Sequence, residues 1–108
     1  MLNFEVNFLI EVRDFFLEID SKARKKLIYN INKAKQTNDS SIFCKLKNSE
    51  IWEFKAKMKN EEYRIFAFWD INQKALVICT HGIIKKTQKI PKKELDKAKK
   101  IRKHYLAL

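Results

Sequence analysis

Glu53, Lys55 and Lys57 alternate along the run Ile51–Lys57, Arg64 lies near the start of the next apolar run, and His81 stands directly before Gly82 with Lys85 and Lys86 close behind. Together these residue types suit cleavage of a phosphodiester by a neighbouring 2′-hydroxyl. One group must take the hydroxyl proton, another must protonate the leaving 5′-oxygen, and cations must stabilise the charge that builds on phosphorus. Glu53, Lys55, Arg64, His81 and Lys86 supply side chains for all three tasks, provided that the strands carrying them pair in chain order. Singly, each has a plainer reading. Glu53 fits one half of a cross-strand ion pair, His81 a partly buried strand histidine, Lys55 and Lys57 a solvated sheet face, and Arg64 a surface residue. Their coincidence with a basic C-terminal segment and with the chain's one glycine favours the joint reading, because glycine permits a close backbone approach after His81.

The elements that must position these groups follow from periodicity. Leu9, Val12, Phe16 and Ile19, widened by Phe8 and Phe15, mark one face of a helix from about Val6 to Ile19. Asp20 or Ser21 then caps a second helix with the stripe Ala23, Leu27, Ile31 and Ala34, ending near Gln36. The two are expected to form an antiparallel hairpin, with Met1–Glu5 as a short leading strand. After the polar break 37–41 the period becomes two. Phe43–Lys47, Ile51–Lys57, Tyr63–Trp69 and Ala75–His81 read as an antiparallel meander. In the second of these, Trp52, Phe54 and Ala56 alternate with the ionisable set, so one face can pack on helices while the other stays open. The third and fourth runs are apolar on both faces, as central strands are. Pro91 suits the first turn of a last helix with the stripe Leu95, Ala98, Ile101 and Tyr105. The expected class is α+β, one domain over residues 1–108, with a helical hairpin on a small antiparallel sheet and a C-terminal helix.

Composition narrows the function further. The chain has 108 residues, 45% of them hydrophobic, enough for one core. A single glycine excludes Walker A loops, dinucleotide fingerprints and nucleophile elbows, which need at least two. Two cysteines, Cys44 and Cys79, and no apparent signal core point to a reduced, cytoplasmic setting. Cys79 and His81 lack two further ligands at a recognisable zinc spacing from Cys44 or His104, so neither a metal nor another cofactor is expected. Phe66, Phe68 and Trp69 at strand spacing read as core before they read as base-stacking groups. The net charge is +11, and +8 of it falls between Lys85 and Lys103, against +1 in the first 42 residues. A polyanion should therefore meet the C-terminal third, where Lys85, Lys89, Lys92 and Lys93, with Lys57, are the expected RNA contacts. The last helix has too few large apolar residues in its stripe to hold a membrane surface, so no membrane partner is expected.

The runs Ile51-Trp52-Glu53-Phe54-Lys55, Tyr63-Arg64-Ile65-Phe66, His81-Gly82-Ile83-Ile84-Lys85-Lys86-Thr87-Gln88-Lys89-Ile90-Pro91-Lys92-Lys93-Glu94-Leu95 and 98–105, with Asp20-Ser21-Lys22-Ala23-Arg24 in the helical hairpin, resemble the phage-derived, HigB-type toxins of the RelE/ParE superfamily. The resemblance spans essentially the whole chain. It implies a type II toxin that cleaves messenger RNA, usually on the ribosome and without a metal, and that a HigA-like helix-turn-helix antitoxin holds inactive. It places Lys55, Arg64 and Lys85-Lys86 in the superfamily's basic cleft, with Glu53 and His81 as acid/base groups nearby. Arg64 would clamp the scissile phosphate, since a guanidinium bridges two oxygens and keeps its charge. The family commonly has arginine where Lys55 stands, so here that position carries a point charge or a base. Two other readings share the fold or the charge: a ParE-like DNA gyrase inhibitor without nuclease activity, and a non-catalytic RNA-binding module.

Overall fold

The computed structural model describes residues 3–86 and 89–108. Its elements run β1 (Glu5–Phe8), α1 (Ile10–Glu18), α2 (Ser21–Ala34), β2 (Phe43–Lys45), β3 (Trp52–Met58), β4 (Glu61–Trp69), β5 (Leu76–Lys85) and α3 (Lys92–Leu106). The class is α+β, as periodicity indicates. The five strands lie in the order β1-β5-β4-β3-β2. From β2 to β5 they form the expected antiparallel meander, and β1 adds to the edge of β5 in parallel.

The first element departs from expectation. A helix was expected from Val6, but Glu5–Phe8 is a strand and the helix begins at Ile10. Val6 and Phe8 both point into the core, as residues two apart do on a strand; on a helix they would stand on nearly opposite faces. Of the expected leading strand Met1–Glu5, residues 1 and 2 lie outside the described residues, and only Glu5 is strand. Of the two expected caps, Asp20 holds the position, its Oδ2 accepting from the Lys22 N–H at 3.2 Å, and Ser21 is the first residue of α2.

Helices α1 and α2 share one face of the sheet, α1 over β5 and α2 over β3. Val12, Phe16, Leu27 and Ile31 meet Phe54, Ile65, Val77 and Cys79 there. Side chains of α2 also bond the backbone of β3: Asn30 Nδ2 donates to the Lys55 carbonyl at 2.9 Å and Lys26 Nζ to the Lys57 carbonyl. The other face carries a second, smaller core of Ile51, Phe66, Phe68 and Ile78, and α3 closes it with Leu95, Ala98 and Tyr105. That face is therefore only partly open. Phe66 and Phe68 are core residues, and an apolar surface of that kind must be covered from water.

Two features of β5 bear on the site. The strand does not end at His81 but runs on to Lys85. It also carries a bulge: Phe66 pairs with His81 and Ala67 with Cys79, which leaves Thr80 as an extra residue. The bulge reverses the alternation, so His81 and Ile83 face α3 while Gly82 faces α1. A Cβ on Gly82 would come within 2.3 Å of Phe15 Cδ2 and 2.8 Å of Ile65 Cδ1. Packing against α1 thus uses the absence of a side chain at Gly82, in place of the close approach expected there.

Candidate functional site

Three rows of side chains cross the α3 face, each drawn from β3, β4 and β5 in register. Glu53, Phe66 and His81 form the first, Lys55, Arg64 and Ile83 the second, and Lys57, Glu62 and Lys85 the third. Period-two alternation in β3 and β4, and the Thr80 bulge in β5, put all nine on one side. The first row lies at the α3 end and is buried, whereas in the third Lys57 is exposed and Glu62 and Lys85 half-buried. Glu53, Lys55, Lys57, Arg64, His81 and Lys85 therefore share one face.

Arg64 lies at the centre, 7% exposed. Its Nη1 donates to Glu53 Oε1 at 3.0 Å, and its Nη2 to Glu62 Oε1. Its Nε is buried and has no partner among the described residues. The Arg64 guanidinium thus holds Glu62 well below the usual carboxylate range, with Lys85 and Lys57 adding to the effect. Glu53 Oε2 also accepts from the Cys44 thiol at 3.7 Å. Burial pushes that thiol up, Lys55 opposing it, so Cys44 stays protonated.

His81 is 3% exposed and stacks on Phe66 at a centroid distance of 4.9 Å. Both ring nitrogens are engaged, Nδ1 with Thr80 Oγ1 at 3.0 Å and Nε2 with Glu94 Oε1 of α3 at 3.2 Å. Burial lowers its pKa from 6.5, Lys97 adds to this, and the Glu94 carboxylate opposes it. The unfolded chain binds a proton near 6.5, while the folded chain takes it up only at lower pH. Stability should therefore be full above pH 6.5 and fall as pH drops from there through the depressed folded value. Thermal unfolding followed between about pH 7 and pH 5 should show this slope, and His81→Gln should flatten it. An unchanged slope in the variant would assign the effect to other groups.

The remaining cations are more dispersed. Lys86, Lys89, Lys92 and Lys93 are exposed around the connection into α3. Lys93 lines a cleft between α1 and α3 with Glu11, Lys97 and Ile101, away from Arg64. Thr87 and Gln88, part of the run that carries the family resemblance, lie outside the described residues. Helix α3 is tied down at both ends, by Glu94 to His81 and by the Tyr105 hydroxyl donating to Asp70 Oδ2 at 2.9 Å.

Glu62 and Glu94 were not singled out from sequence. Glu62 had a signal, standing two residues before Arg64 and hence on its face. Glu94 had none, because nothing in the chain links the first turn of α3 to β5. No group of three or more His, Cys, Asp or Glu side chains among the described residues is placed to hold a metal ion, and none of the described helices is long and apolar enough to cross a membrane.

The model of the family described as phage-derived protein Gp49-like matches residues 14–103. Among solved structures, the chain is similar to the isolated E. coli RelE toxin, with a TM-score of 0.58 and 14% sequence identity over 86% of this chain and 96% of that one. Comparison with curated proteins gave no match.

Proposed function

The chain belongs to the phage-derived Gp49-like family, and from that premise we propose that it is the HigB-type toxin of a type II toxin–antitoxin pair, a metal-independent endoribonuclease that cuts messenger RNA on the ribosome. The observation that most supports this reading is Arg64, held on the sheet floor by a buried carboxylate and bordered by Lys55, Lys57 and Lys85. A phosphodiester laid on this face meets one fixed guanidinium and a ring of ammonium groups. The E. coli RelE toxin, which shares the fold, supports the toxin class.

In this reading the 2′-oxygen attacks phosphorus, the P–O5′ bond breaks, and the products are a 2′,3′-cyclic phosphate and a 5′-hydroxyl. Once Glu62 moves off, the two N–H groups of Arg64 Nη2 reach the phosphate oxygens and stabilise the added charge of the phosphorane. Lys55, directly opposite Arg64, shares that task, and Lys85 with Lys86 guides the strand. Glu53 aims the guanidinium. Glu53 and His81 can move protons only after releasing Arg64 and Glu94; Lys55, half-buried opposite Arg64, and the exposed Lys86 are the other two candidate proton-transfer groups. The partners are messenger RNA, the ribosome and a HigA-like helix-turn-helix antitoxin, and the setting is the cytoplasm. Lys89, Lys92 and Lys93 extend the RNA contacts along the start of α3.

Induced expression in a bacterium should stop growth and produce new 5′ ends within coding sequences. Arrested growth with intact messages would overturn the nuclease reading. One observation favours a second reading, an RNA-binding module without cleavage: His81 has both nitrogens bonded, and Glu53 is engaged by Arg64. That reading requires binding that weakens with salt at a log–log slope of about −0.7 per neutralised phosphate, with no new ends.

A further inference from the structure

The two carboxylates on Arg64 are not equivalent. The Glu53 side chain is 6% exposed, whereas that of Glu62 is 43% exposed. Glu62 also stands between Lys57 and Lys85 in register across three strands, so its carboxylate occupies a spot ringed by three cations from β3, β4 and β5. A carboxylate and a phosphodiester both present two anionic oxygens to a guanidinium edge. We propose that the Glu62 carboxylate occupies a phosphate-binding subsite for single-stranded RNA, and that Glu62 is a built-in competitor which the RNA phosphate displaces. This rests on the reading of the chain as an RNA-binding toxin.

The exchange is chemically balanced. The incoming phosphate brings one negative charge to Lys57, Lys85 and Arg64 Nη2, and the Glu62 carboxylate swings into water, where it is well solvated. Rim ion pairs are weakly held, so little is lost on displacement. Glu53 stays in place and keeps Arg64 aimed. The Nε is buried and has no partner among the described residues, so the exchange is confined to Nη2. Glu62 is thus a positioning residue that sets how readily Arg64 receives RNA.

The test measures binding of a short fluorescent 2′-O-methyl RNA, which its own 2′-oxygen cannot cut, by anisotropy at about 0.1 M salt. Glu62→Gln and Glu62→Ala should each tighten binding about fivefold, the scale of a rim ion pair, with the salt slope little changed because the same phosphates are neutralised in every case. Glu61→Gln makes the same change in net charge beside Tyr63, whose hydroxyl lies 3.3 Å from Glu61 Oε1, and should change affinity less than twofold. Damage to the fold would not tighten binding. Equal gains at both positions would reduce the effect to net charge and overturn the proposal. RNA bound by the wild type but no more tightly by the Glu62 variants would overturn it alone. RNA bound by none of the proteins would overturn the RNA-binding reading as well.

Discussion

Replacing Arg64 with alanine should cost about 3–5 kcal/mol of folding stability and lower RNA cleavage by about a hundred- to a thousandfold. The stability loss comes from Glu53, which is 5% exposed and would remain on the sheet floor without its cation. Removing one partner of a buried pair costs far more than the pair contributes, because the survivor keeps its desolvation penalty. The rate loss has a separate origin, the contact that a guanidinium makes with two oxygens of the phosphorane. Arg64→Lys separates the two. It leaves a charge for Glu53 and should recover part of the stability, yet a point charge cannot bridge two oxygens and the rate should stay low. Denaturant melts and the kcat/KM for appearance of new 5′ ends measure both quantities. An Arg64→Ala protein as stable as the wild type would refute the buried-pair argument, and undiminished cleavage would remove Arg64 from the chemistry.

Phe66→Ala should be nearly as damaging to stability, at about 3–5 kcal/mol, because Phe66 is fully buried in the smaller core and stacks on His81. Its loss opens a cavity beneath the N-terminal half of α3, and Ala98 and Leu95 are too short and too constrained to fill it. The helix should loosen before the rest of the chain. Amide exchange along α3 should accelerate more than exchange in α2, whose contacts lie on the opposite face of the sheet. Uniform acceleration across both helices would show that the two cores unfold as one unit.

The alternation in β3 was readable from the amino acids. Phe54 and Ala56 face one way and Glu53, Lys55 and Lys57 the other, so the convergence of the cations with Arg64 follows from strand pairing in chain order. The apolar character of both faces of β4 was readable too, and it already required that something cover Phe66 and Phe68. What covers them was not, because the stripe of α3 fits any apolar surface of its width. Three other features left no trace in periodicity. β1 is only four residues long, and its two apolar side chains run straight into the apolar stripe of α1, so its alternation was absorbed into the helix. The bulge adds one residue without changing composition. The partners of Arg64 depend on how a long side chain lies across the sheet, a choice made by packing and charge together.

The extra residue at Thr80 has a consequence for comparing this chain with its relatives. On the N-terminal side of it, the even-numbered positions of β5 look toward α3; on the C-terminal side, the odd-numbered ones do. A relative lacking that one residue would match perfectly well on either flank, yet placing the gap a few positions astray would assign His81 to the wrong side of the sheet. Homologous chains are therefore best superposed on Gly82, where any side chain would have to displace the Phe15 ring, and counted outward from it.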